Sequence, residues 1–346
     1  MADKTKILWA DATLNPAYGC SKVSPACDNC YAARMADRMA HNVQVCQYFE
    51  GLTDKNHEWT GRVNLFPERM EQALKWMRPR RIFVGSMTDL FHEDVPVDFL
   101  DQVFAVMAMA CQHTFMILTK RPDRMRQYIK GVQGVPIDSP RDFVLFDSWR
   151  AVHGEHYGQR LWPLPNVWLG VTVENQAMDD ARIPILLDTP AAKRFVSIEP
   201  MLGTVDLGHH LTSCFGCGNQ GSTEMCLNRP GSGHDLCRAC GKGDNPNGLD
   251  WVICGGETGP GARPLRPDWA RGLRDQCAAA DVPFMFKQWG DFGPCPGTDC
   301  GFYDRSCATR ERVFEVGEGH MCRVGKRVAG RMLDGVEHNG IPEIKA

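Results

Sequence analysis

The sequence has no apolar run near the roughly 18 residues that a membrane-spanning helix needs, which argues against a helical membrane protein. Its start, Met-Ala-Asp-Lys-Thr-Lys, lacks the hydrophobic region of a secretory signal, so a cytosolic location is expected. Positive charge is not in excess either. The 39 Lys and Arg stand against 42 Asp and Glu, a net charge of -3, which argues against a generally basic nucleic-acid coat. Local basic stretches remain free to meet phosphates. Internal repeats, heptad runs and low-complexity tracts are missing, leaving an ordinary folded chain of 346 residues and 43% hydrophobic content.

Cysteine, by contrast, is plentiful. A reducing cytosol keeps sixteen thiols free of disulfides, so metal or cluster ligation is the better use for those that are grouped. Two groups stand out. Cys20, Cys27 and Cys30 fall within eleven residues of the N-terminal part. Cys214-Phe-Gly-Cys217 and Cys237-Arg-Ala-Cys240 are separated by 19 residues, the spacing of a two-knuckle zinc site. Zinc would order an insertion too small and polar to fold on a core of its own. Cys226 and His234 lie between the knuckles as substitute ligands, and a second iron–sulfur cluster is the alternative occupant.

Short apolar runs alternate with helix-compatible segments, the α/β pattern. Strands are expected at Arg81–Gly85, Phe115–Thr119, Val167–Val173, Arg194–Ile198, Trp251–Gly255 and Pro283–Phe286, with a further one at Lys6–Trp9. Helices are expected over Pro67–Met77, Val97–Gln112, Asp179–Leu187 and Pro267–Ala280. The expected architecture is a parallel (βα) barrel, partial or full, built from 1–206 and 249–346. Residues 131–165 form one insertion, and 207–248 the Cys-rich zinc-binding one.

Each expected strand stops on polar residues: Thr88 and Asp89, Thr119 and Lys120, Glu174, Glu199, Glu257, then Lys287. In a parallel barrel such positions share the rim where sites assemble. For Thr88 and Asp89 a helix N-cap is an equal reading. Lys120 with Arg121 suits a carboxylate or phosphate and extends the positive surface, while Glu174 and Glu199 suit proton transfer or simple ion pairing. Gly255 and Gly256 open a Gly-rich loop in which backbone can approach a ligand closely, with Glu257 and Arg263 beside it.

Three thiols are one short of a closed zinc site, whereas a cubane cluster held by three cysteines leaves one iron open to a small molecule. A zinc site completed by His41 or Cys46 is the structural alternative.

Asn15-Pro16-x-x-Gly19-Cys20 followed by Cys27-x-x-Cys30-Tyr31-Ala32-x-Arg34 resembles the cluster loop of spore photoproduct lyase and its radical S-adenosylmethionine (SAM) relatives. The chain departs in having six residues between the first two cysteines where three are usual. That spacing, with Trp9-Ala-Asp11, Ser86-Met-Thr-Asp-Leu-Phe-His-Glu-Asp94, Leu118-Thr-Lys-Arg-Pro122 and Trp251-Val-Ile-Cys-Gly-Gly-Glu257, is similar to a phage-type three-cysteine-motif family regarded as radical-SAM-like.

The resemblance implies a 4Fe-4S cluster on Cys20, Cys27 and Cys30. It also implies bound SAM near Thr88, Asp89, Thr119, Lys120 and Glu257, with Glu174, Glu199 and Lys287 as catalytic candidates. The implied enzyme makes a 5'-deoxyadenosyl radical and acts in nucleic-acid modification or repair. Its partners are DNA or another nucleic acid, an electron donor and a partner protein, inside a bacterial or phage-infected cell. The competing reading is a zinc-containing nucleic-acid- or protein-binding module without radical chemistry.

Overall fold

The computed structural model describes residues 5–135, 139–142, 145, 162–211, 248–296, 312–316 and 319–343. The chain divides into two compact units: Met1–Val171 with Pro184–Arg194, and Thr172–Ile183 with Phe195–Ala346.

In the first unit, β1 (Ala12–Leu14), β4 (Arg81–Val84), β5 (Thr114–Thr119) and β6 (Val167–Thr172) lie side by side in that order. Their pairings are parallel, with Ala12 opposite Ile82, Ile82 opposite Phe115, and Phe115 opposite Val167. Every residue of β6 is buried, and β4 and β5 nearly so. Such continuous apolar runs mark parallel strands covered on both faces. Helices Val97–Met109 and Pro122–Gln133 supply the cover, burying Phe99, Leu100, Val103 and Phe104 from the one and Met125, Tyr128 and Ile129 from the other. Two short strands, β2 (Ala17–Tyr18) and β3 (Asn64–Leu65), pair antiparallel beside the cysteine loop.

In the second unit, β7 (Lys193–Ile198), β8 (Trp251–Gly255) and β9 (Phe284–Gln288) are again parallel, in register Phe195–Trp251 and Val252–Phe284. Helix Pro267–Ala279 joins β8 to β9; Pro267 stands in its first turn and Leu273 and Cys277 are buried. An antiparallel sheet of Phe292–Pro296, Gly319–Arg323 and Arg312–Val316 follows.

The α/β class and the parallel pairing expected from the sequence are therefore present in both units. One expectation fails. Lys6–Trp9 forms no strand but a turn, with Ala10 N–H donating to Ile7 O at 3.2 Å, and the seat beside β4 belongs to Ala12–Leu14. The apolar residues misled because Trp9 is buried by packing its ring, tilted, against Phe83, with ring centroids 4.6 Å apart, rather than by pairing its backbone. The zinc ligands expected at Cys214, Cys217, Cys237 and Cys240 lie outside the described residues, as does most of the 131–165 insertion. No helix among the described residues is long and apolar enough to cross a membrane.

Candidate functional site

The cysteine loop leaves β2, and each motif residue around it has an identifiable job. Asn15 Oδ1 accepts from Ser86 Oγ and from Met87 N–H, both at 3.1 Å, which fastens the loop's root to the segment after β4. Gly19 N–H donates to Met87 O at 3.1 Å, and Thr88 Oγ1 returns a bond to Gly19 O at 2.7 Å. Gly19 has φ +101°, and a Cβ there would lie 2.1 Å from Arg62 O, so the position admits only glycine. Tyr31, opening helix Tyr31–Ala40, donates its hydroxyl to Ser86 O at 2.8 Å. Beneath the loop, Tyr18, Ala32, Ala36, Phe49, Leu52 and Met87 form a hydrophobic cluster. The resemblance motif is thus a set of stitches that binds the loop to residues 86–88.

Asp89 is the hub of the polar network. It is 6% exposed. Its Oδ1 accepts from Thr119 Oγ1 at 2.7 Å and Phe91 N–H at 3.0 Å; its Oδ2 accepts from Lys120 N–H at 3.0 Å and Arg121 Nη1 at 3.1 Å. Four donors satisfy a buried carboxylate fully. Neither Thr88 nor Asp89 caps a helix, because turns follow them and the next helix begins at Val97.

Arg121 carries the network to the cysteines. Nη1 also donates to Cys20 Sγ at 3.6 Å, while Nη2 donates to Ser21 O at 3.2 Å and Ser21 Oγ at 2.6 Å. Its side chain is only 9% exposed, so it does not extend a positive surface as its place in the Lys120-Arg121 pair suggested. The physical reason is Asp89, whose buried charge requires a partner. Ser21 Oγ also lies 2.9 Å from His92 Nε2. Asp94 N–H donates to His92 Nδ1 at 3.2 Å, which assigns the ring proton to Nε2 and makes the imidazole the donor to Ser21. Burial, then the nearby Arg121 charge, lowers the His92 pKa and keeps the ring neutral at pH 7.

Burial pushes the Cys20 thiol up to about 11 and the Asp89 charge adds to the rise, while Arg121 and Lys120 oppose it. All three loop cysteines are partly buried. Among the described residues, the one trio of metal-ligating side chains whose donor atoms all lie within 4.8 Å of one another is elsewhere. A cationic hydrogen-bond donor on a sulfur also suits the net negative charge of a cluster with three thiolates. Lys120 is half-buried, and no carboxylate among the described residues pairs with its ammonium.

The second unit holds the remaining candidates. Glu199 accepts both its oxygens' bonds from Lys287 Nζ, at 2.8 and 2.9 Å, and a third from Gln288 Nε2 at 3.3 Å. Both side chains keep a little solvent contact, 18% and 17%. Glu257 is clasped by Arg263 at 2.7 and 2.9 Å and by the Arg263 N–H at 2.8 Å. Glu174 is fully buried and accepts from Arg182 Nη1 at 3.0 Å, the ion-pair role that the sequence left open. At Gly256 the close approach is to the chain's own backbone: a Cβ there would lie 1.9 Å from Trp289 O.

Sequence reasoning missed His92, and saw Arg121 only as surface charge. The signal that could have found them is the clustering of Asp89, His92 and Arg121 within a few residues of two consecutive strand ends.

A family model described as "Protein of unknown function (DUF5131)" matches residues 4–342. Solved structures of spore photoproduct lyase are similar to the chain. A cysteine-to-serine mutant of that enzyme matches over 92% of this chain and 70% of its own, at 10% identity and a TM-score of 0.35. A tyrosine-to-phenylalanine mutant covers 89% and 66%, at 9% identity and a TM-score of 0.32. The same enzyme complexed with a dinucleoside spore photoproduct covers 89% and 66%, at 10% identity and a TM-score of 0.33. No curated protein matches.

Proposed function

The chain belongs to the DUF5131 family, and from that premise we propose that it is a radical SAM enzyme whose 4Fe-4S cluster is held by Cys20, Cys27 and Cys30. The observation that carries this reading is the loop itself: three thiols anchored by Asn15, Gly19 and Tyr31, with Arg121 donating to one sulfur. When bound, the cluster supplies one electron, drawn from an external donor, to break the C5'–S bond of SAM, leaving methionine and a 5'-deoxyadenosyl radical.

The chain's own residues do the rest. Arg121 and Lys120 bring positive charge to Cys20 and favour its thiolate, the form that binds iron. Asp89 holds Arg121 in place and is fully engaged, so it acts as a positioning residue and not as a direct SAM ligand. Lys120 is the residue we assign to the carboxylate of SAM. Glu199 and Lys287 form the pair best suited to proton transfer, because each retains some contact with solvent. Glu257 keeps the loop after β8 in shape through Arg263. Glu174, closed off by Arg182, serves the fold.

A nucleic-acid substrate accompanies the proposal, with a base flipped from any duplex to reach the radical. It rests on the motif resemblance and on basic stretches such as Arg78-Pro-Arg80-Arg81. A zinc-bound insertion at Cys214, Cys217, Cys237 and Cys240 rests on their spacing alone.

The test is anaerobic reconstitution with iron, sulfide and SAM, followed by assay for 5'-deoxyadenosine in wild type and Cys27→Ala. We expect a brown protein with visible absorbance and product from the wild type, and neither from the variant. Wild-type protein that takes up zinc alone, builds no cluster and leaves SAM intact overturns the proposal in favour of a zinc-containing binding module.

A further inference from the structure

Away from the cysteine loop, the second unit gathers a different set of metal-ligating side chains. Asp179, early in helix Gln176–Leu187, meets His209 and His210 of the short helix Gly208–Leu211, with one donor atom from each within 4.8 Å of the others. Asp179 is fully buried and His210 is 4% exposed, whereas His209 faces solvent.

A plain hydrogen bond explains part of this. Asp179 Oδ2 lies 3.2 Å from His210 Nε2 and accepts from Gln176 Nε2 at 2.8 Å. Asp179 Oδ1, however, is buried and has no hydrogen-bond partner among the described residues. A buried carboxylate oxygen left bare is costly, and neither donor on Oδ2 relieves it. Nor does the bond explain why His209 lies against His210, with ring centroids 3.8 Å apart.

A cation answers both points: it gives Asp179 Oδ1 a charge partner and it uses both imidazoles. Two imidazole nitrogens and one carboxylate form a donor set suited to zinc, harder than thiolates and softer than an all-oxygen calcium or magnesium cage. Gln176 then has the outer place, fixing the carboxylate's orientation through Oδ2.

We propose that Asp179, His209 and His210 bind a zinc ion, independently of the cysteines. Three protein ligands leave a fourth position for water or a further ligand. The ion cross-links the start of helix Gln176–Leu187 to a segment 30 residues later in the chain.

The experiment uses the full chain with Cys20, Cys27 and Cys30 all changed to serine, so that zinc in the loop cannot be counted. Protein is dialysed against a zinc buffer and its bound zinc measured by elemental analysis, alone and with His209→Ala or Asp179→Asn added. Because His209 is exposed, His209→Ala should leave the circular dichroism unchanged, and its zinc count decides the matter if Asp179→Asn fails to fold. Each folded variant is expected to hold one zinc equivalent fewer than its parent. A full zinc complement in either folded variant overturns the site.

Discussion

At the residue scale, Arg121 links the buried Asp89 carboxylate to the Cys20 thiol. Removing it takes from Cys20 the main influence that favours the thiolate and leaves burial and Asp89 unopposed except by Lys120. In the metal-free protein, alkylation of Cys20 should rise with pH without levelling off up to pH 10, since the thiol titrates at about 11. Arg121→Ala should slow it further at every pH. Residue-resolved mass spectrometry of the alkylated chain reads both effects; a plateau below pH 9 would contradict the assignment. Lys120 offers a cleaner separation of binding from assembly. Lys120→Ala should build a normal cluster yet bind SAM about tenfold or more weakly, the scale of one lost charge-assisted contact. Equilibrium dialysis with labelled SAM against the reconstituted variant measures it, and unchanged affinity would remove Lys120 from the site.

At the scale of elements, the loop between β2 and helix Tyr31–Ala40 is defined by backbone geometry as much as by its cysteines. Gly19→Ala forces a Cβ against Arg62 O in a left-handed conformation that L-residues avoid. We expect a folded protein with a displaced loop, reduced iron uptake, and a stability loss on the order of 1–3 kcal/mol by urea titration. An alanine variant with wild-type iron content and midpoint would show that the loop tolerates what its geometry forbids.

Strand positions were legible because each apolar run was bounded by charge or glycine, and Trp251–Gly255 was placed to the residue. Lys6–Trp9 was not, since a buried tryptophan reads the same whether its backbone pairs or turns. The cysteine loop was legible as a motif, but its fastenings were not. They join Asn15 to Ser86 and Arg121 to Ser21, and no local pattern encodes pairs 71 or 100 residues apart. For the same reason the sequence could not show that the four acceptor positions of Asp89 are met by the chain's own donors.

At the scale of the whole molecule, buried histidines set how stability responds to mild acid. His113 is 1% exposed, with Nε2 bonded to Ala73 O at 3.0 Å and Nδ1 without a partner. Burial, and secondarily the Arg80 charge, lowers its pKa in the folded state. The unfolded chain therefore binds the proton more readily, and stability falls as pH falls. The contribution is complete above about pH 6.5 and is lost as pH drops through the lower folded value. Unfolding free energy should decline between pH 7.5 and 5, and His113→Gln should flatten that slope whatever its effect at neutral pH. Parallel curves for the two proteins would exclude His113. Carboxylates such as Asp334, held down at about 2 by Arg271 and then Arg274, act only at much lower pH and leave this window clear.

The stitching of the cysteine loop has a consequence for the life of the protein. Asn15, Gly19, Tyr31 and Thr88 hold the loop by bonds that involve no metal, so under the proposed function the acceptor would be shaped before any iron arrives. Small zinc domains, which are unfolded until loaded, behave in the opposite way. On the proposed reading, a cell short of iron would hold this chain folded and unloaded, ready for its cluster when supply returns.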